Sequence, residues 1–231
     1  MRYSLIFWML SITASFAACT NRDATPEKEL STDEVYYDYK INGDDESGEM
    51  TAVLQFRYGG RDGETLLLNE PSSVQLDEET LEADSAEQSG VFYETRKPVS
   101  EFEGEHDITF TDLKGKKFEE HFSFVPFSFA GEIENTMKRS NLVFPVNGLK
   151  NGDEVRVILI DTSFATDDLN GIATVNDGNI SITKEQLRKV ANGPVTLQLY
   201  KEETQKIKNG TAEGGILSIA YAINKEFLLA E

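Results

Sequence analysis

The chain has 231 residues, 41 of them acidic against 22 basic, and a formal net charge of -19. So acidic a balance excludes adsorption to nucleic acid or to anionic membrane by charge, and the length suits one large or two small domains. One Cys and two His exclude an intramolecular disulfide and leave few groups for histidine chemistry.

In chain order, Arg2 gives a short positive start. Leu5-Ile6-Phe7-Trp8-Met9-Leu10 opens an apolar run that ends in small residues at Ala18. That is signal-peptide length, short of the roughly 20 residues of a membrane-spanning helix. Phe16-Ala17-Ala18-Cys19 resembles the lipobox of bacterial lipoproteins, with Phe where that family usually has Leu. The resemblance implies removal of residues 1–18 as a signal. It also implies a diacylglyceryl thioether on Cys19 and acylation, of the palmitate kind, on the new amino group. Lipidation gives the lone thiol a reason, and two or three acyl chains anchor firmly. Thr20, rather than Asp, after Cys19 fits sorting to the outer membrane in such lipoproteins.

Residues 19–31 are polar, hold Pro26, and lack an apolar period, so they are expected to form a tether. From Thr32 the apolar period is two. Val35, Tyr37, Tyr39 and Ile41 share one face, with Asn42-Gly43 expected to break the run. Further strands are predicted at 53–58, 65–68, 74–76, 91–94, 107–111 and 118–124. In the last of these Phe118, Phe122 and Phe124 share a face.

Beyond residue 130 strands are predicted at 155–160, 172–175, 179–182, 195–199, 216–223 and 227–229. Asn176-Asp177-Gly178 is a hairpin turn signal. Val155 to Ile160 is apolar through its middle, which predicts burial on both faces. Thr183-Lys184-Glu185-Gln186 is a capping box and predicts one short crossover helix near 183–191, ended by Asn192-Gly193. Six Asn-Gly pairs supply tight turns. The fold class is therefore all-β, with two tandem immunoglobulin-like antiparallel β-sandwich domains at 32–129 and 130–231. The charge divides there too: the first holds 24 acidic and 8 basic residues, the second 14 and 11.

Candidate chemistry is sparse. If residues 107–111 and 118–124 form a hairpin, alternation puts His106 on the inner face and His121 on the outer, so the two cannot share an ion. No Gly-x-Ser-x-Gly elbow and no phosphate-cradling loop appear. Oxygen-rich loops at Asp44 and Asp45, and at Asp167 and Asp168, are candidate calcium ligands. Tyr36 and Tyr93 are candidate aromatic platforms for a glycan. Asp84-Ser85-Ala86 resembles the O-glycosylation sequon of exported Bacteroidota proteins, which makes Ser85 a candidate glycosylation site.

The acidic chain, tandem sandwiches and lipobox together resemble uncharacterised outer-membrane lipoproteins of Bacteroidota. The expected protein is a non-enzymatic envelope module, anchored at Cys19, that binds a protein or glycan partner without a cofactor. The alternative is a glycan-directed hydrolase or an accessory subunit of a polysaccharide-uptake system.

Overall fold

A computed structural model describes residues 24–26, 31–163 and 167–231. The signal 1–18, Cys19 and most of the tether lie outside the described residues. The first half holds ten strands: β1 (Ala24–Pro26), β2 (Val35–Asp44), β3 (Glu49–Tyr58), β4 (Glu64–Leu67), β5 (Ser73–Leu76), β6 (Glu79–Thr80), β7 (Ala83–Ala86), β8 (Gly90–Pro98), β9 (Gly104–Thr111) and β10 (Lys117–Phe124). The second holds β11 (Ser128–Phe129), β12 (Thr136–Lys138), β13 (Leu142–Asn147), β14 (Glu154–Asp161), β15 (Leu169–Thr174), β16 (Asn179–Ile182), β17 (Gly193–Lys206) and β18 (Gly215–Ala230). The other regular elements among the described residues are three 3₁₀ turns. The all-β sandwich class stands.

Three sheets form. The largest runs β1-β4-β3-β2-β18-β17-β14-β15, with β7 and β8 joined through β3 and β12 joined to β18. Its centre is a long hairpin: β17 and β18 pair from Gly193↔Leu229 to Lys206↔Ile216. The two ends of this hairpin serve different halves. Near its tip, Gly215–Ala222 pairs in parallel with Tyr37–Asp44 of β2. Near its root, Arg156–Asp161 of β14 pairs with Val195–Tyr200. One sheet therefore runs across residue 130, while each half keeps a covering sheet of its own: β10-β9-β5-β6 over the first and β11-β13-β16 over the second.

Both covers lie on one face of the large sheet, and the register shows why. Opposite residues of an antiparallel pair point the same way, so Val195/Phe227, Leu199/Ile223, Lys201/Tyr221 and Glu203/Ile219 share a face. In the first sandwich that face carries Tyr37 and Tyr39, stacked on each other, with Phe56 set 4.7 Å from Phe110 of β9. In the second it carries Phe227, 6.2 Å from Phe144 of β13. Tyr37, Tyr39, Phe56 and Phe110 are buried in a first core rich in aromatic rings, whereas the second sets Phe144 and Phe227 among aliphatic side chains such as Val157, Leu159, Ile180 and Leu197.

Three expectations change. Asn42-Gly43 does not break its strand: β2 runs through it to Asp44. Gly43 is required there because a Cβ would sit 2.1 Å from Met50 Sδ on the paired strand. The helix near 183–191 is a single 3₁₀ turn, Gln186–Lys189. The capping box still forms, with the Thr183 N–H donating to Gln186 Oε1 at 2.8 Å and the Gln186 N–H to Thr183 Oγ1 at 3.3 Å. It caps a turn that Val190 ends by turning extended. Finally, β14 is buried on one face only: Val155, Val157 and Leu159 are buried, while Ile158 and Ile160 are half-buried.

Candidate functional site: a slot between the two covering sheets

The covering sheets do not meet. β10 ends at Phe124, and Val125-Pro126-Phe127 carries the chain to β11. Under this crossing the inner face of β17 and β18 has, among the described residues, no sheet above it. Its composition changes there. After Val195, Leu197 and Leu199, all buried, the next inward positions are Lys201 and Glu203. The result is a slot of about 240 Å³, with Lys201, Glu203, Ile219 and Tyr221 on its floor. Ser123, Glu203 and Ile219 also line a neighbouring cavity of about 430 Å³, so the depression extends along β17.

The floor is packed against the crossing. Phe124 and Phe127 pack edge-on against Tyr221 at 5.5 and 5.6 Å. On the floor itself, Lys201 Nζ donates to Asp153 Oδ2 at 3.0 Å and lies 2.7 Å from Glu203 Oε1. Asp153 Oδ2 also accepts the Lys150 N–H at 2.9 Å, which fixes the loop that closes one end. Burial alone would raise the Asp153 pKa, but the Lys150 N–H and Lys201 overcome it and hold the carboxyl below its ordinary value. Burial alone would lower the Lys201 pKa, but Glu203 and Asp153 hold it above. The slot thus pairs Lys201 with two carboxylates, with Lys150 and the exposed apolar side chain of Val125 also on its lining.

The residues singled out in the sequence lie elsewhere. Tyr93 is in the core: its hydroxyl accepts the Leu68 N–H at 2.8 Å and its ring packs edge-on to Phe56, so it offers no platform. Tyr36 is half-buried on the opposite face of β2, its phenol pKa raised by burial. Asp44 Oδ1 caps its turn by accepting the Ser47 N–H, and Asp45 Oδ1 accepts from the Asn224 backbone and side chain. Burial raises the Asp45 pKa. Asp168 Oδ1 accepts the Asp161 N–H, while Asp167 is exposed beside it. Among the described residues no three His, Cys, Asp or Glu side chains converge on a metal position. Ser85 is exposed on β7.

His106 is buried, with Nδ1 2.7 Å from Asp77 Oδ2 and Nε2 2.8 Å from the Phe102 carbonyl. His121 is exposed on the outer face, bonded to Asp107. The inner face of β10 also holds Glu120, an acid that the Phe118–Phe122 stripe hides in sequence. Its Oε2 accepts the Lys208 N–H at 3.0 Å, fastening the tip of the long hairpin to the first cover.

No family model matches the chain, and no curated protein matches it. Solved structures similar to it include DIP-gamma IG1+IG2, at 8% identity and a TM-score of 0.25, covering 86% of this chain and 98% of that one. A second is the SGBP-B of a Bacteroides ovatus mixed-linkage glucan utilization locus, in complex with a mixed-linkage heptasaccharide. It is 10% identical with a TM-score of 0.23, covering 79% of this chain and 53% of that one. A third is a 1.5-MDa bacterial ice-binding adhesin, 10% identical with a TM-score of 0.22, covering 85% of this chain and 65% of that one. This chain thus spans about half the length of the Bacteroides ovatus chain. Likenesses this distant carry no argument about function.

Proposed function

We propose that the chain is a non-enzymatic binding module of the cell envelope, anchored in the outer membrane through acylated Cys19. It takes a protein or glycan partner in the slot between its covering sheets. The observation that carries this reading is the change of the inner stripe of β17 from apolar to ionic where cover is absent. A stripe meant only for packing would stay apolar or be covered. Here the strand keeps Lys201 in place with two carboxylates and leaves it facing an open depression.

The two carboxylates are also what a glycan hydrolase would use, which makes hydrolysis the second reading. Their chemistry favours binding. A glycosidase acid needs a raised pKa so that it stays protonated until it donates. Asp153 is displaced the other way, and Lys201 stands between the two acids.

The test is a pull-down from envelope extract with the Cys19→Ala chain, run beside Lys201→Met. Capture that falls with Lys201→Met and with rising salt fits an ionic slot, since such contacts are screened over a Debye length of about 8 Å at physiological salt. Capture indifferent to Lys201→Met would move the site off the slot. Turnover of a glycan, peptide or ester that is abolished by Asp153→Asn would replace binding with hydrolysis.

A further inference from the structure

The edges of the sheets differ in how they are protected, and one stands apart. An edge strand exposes unpaired N–H and C=O groups, and proteins blunt such edges with charge, Pro, bulges or cover. At one end of the large sheet, β4 is covered by β1 of the same chain, with Ala24–Pro26 paired to Thr65–Leu67. The β7 edge carries Asp84, the β6 edge carries Glu79, and β10 carries four charged or His side chains with Asn209 Nδ2 bonded to its Glu119 carbonyl.

At the other end, β15 reads Leu169-Asn170-Gly171-Ile172-Ala173-Thr174. It has no charge and no Pro, and among the described residues it pairs only with β14. Ile172 is 53% exposed on it. Beside it, across the lateral opening of the sandwich, β16 is uncharged as well.

We propose that β15 is a dimerisation edge and that its occupant is β15 of a second copy of this chain, joined antiparallel about a two-fold axis. A two-fold axis perpendicular to the sheet keeps each face on its own side, so the register must place like-facing residues opposite each other. Pairing Ile172 with Ile172 satisfies this. It covers the exposed apolar side chain on both copies and sets Asn170 opposite Thr174 and Gly171 opposite Ala173. No charged residue of the strand meets its like. The location fits association as well: β15 belongs to the half with 14 acidic and 11 basic residues, away from the half with 24 and 8. The joined strands extend one sheet through both molecules. This inference is independent of the slot and of the lipid anchor.

The experiment is sedimentation of the full chain carrying Cys19→Ala across a wide concentration range. The expected result is a reversible monomer–dimer equilibrium. Ile172→Lys, at an exposed position outside the core, sets two ammonium groups face to face and is expected to weaken the dimer by about tenfold or more. Mixing Ile172→Lys with Ile172→Glu restores association as a mixed dimer, which a general loss of folding could not do. A monomer at every concentration would overturn the proposal. So would a dimer that neither single change weakens, or two variants that fail to recombine.

Discussion

At the residue scale, the ionic contacts of this chain are best read through their neighbours. His121 is exposed, and Asp107 raises its pKa above the ordinary 6.5, first through the side-chain bond and then through charge. A raised value in the folded state means that the protonated form is the bonded one. Its contribution to stability is whole below about pH 6.5 and fades as pH rises through the folded value. Proton NMR of the ring is expected to report a value above 6.5, and Asp107→Asn to return it to ordinary. An unchanged titration would mean that the contact does not persist in solution. Lys201 has the opposite sense on its partner. Asp153 is held low, so its contribution is present above the ordinary carboxylate range and is lost as pH falls through the depressed value. Lys201→Met removes the cation from two carboxylates in a half-buried site. A loss of about 1 kcal/mol is expected by denaturant unfolding, with the Asp153 carboxyl titrating at higher pH than before.

At the element scale, the long hairpin decides what each half of the chain can do alone. Residues 130–231 hold β12 to β18 and a core of their own, with Phe144, Val157, Leu197 and Phe227 buried in it. Residues 32–129 lack β18, whose Gly215–Ala222 is the direct neighbour of Tyr37–Asp44. They also lack Ile207 and Leu217, which are buried at the hairpin tip. The proposed division at 129/130 therefore has an asymmetric consequence. The fragment 130–231 is expected to unfold in one cooperative step, while 32–129 alone is expected to give no such transition and little near-UV signal. A cooperative melt of 32–129 would show that its sandwich closes without the borrowed strand. The same hairpin explains what sequence revealed. Period-two stripes were legible wherever a strand lies under cover, as at Val35–Ile41, Phe118–Phe124 and Asn179–Ile182. β13 was unread although Leu142, Phe144 and Val146 form an intact buried stripe, because Pro145, at an outward position, reads as a strand breaker in sequence. The end of β17 was unread because its inner stripe turns ionic at Lys201. That change looks like a strand end until the register of β18 shows that the floor continues uncovered. The slot was hidden for the same reason, although a polar break at every second position of an apolar stripe was its signal.

At the scale of the whole molecule, charge and anchor have separate tasks. A chain of net charge -19 is repelled by anionic lipid, and the first half carries most of that charge. Among the described residues no helix is long and apolar enough to cross a bilayer. In the proposed reading membrane attachment is assigned to the acyl chains of Cys19. Covalent geometry sets how far the anchor can stand from the fold. β1 begins at Ala24, paired to Thr65 of β4, so four residues, or five Cα-to-Cα steps, lie between it and Cys19. At about 3.3–3.6 Å per residue they reach roughly 17 Å. If Cys19 carries the proposed anchor, the β4 end of the large sheet is the end tethered to the lipid, and β15 lies at the opposite end of the strand order. Replacing Cys19 with Ala is expected to move the whole population from the membrane fraction to the soluble one. High salt is not expected to bring it back, because it screens repulsion without supplying an attraction. Retention of the Cys19→Ala chain on membranes would place the attachment in the folded domains and remove the lipid anchor from the proposed function.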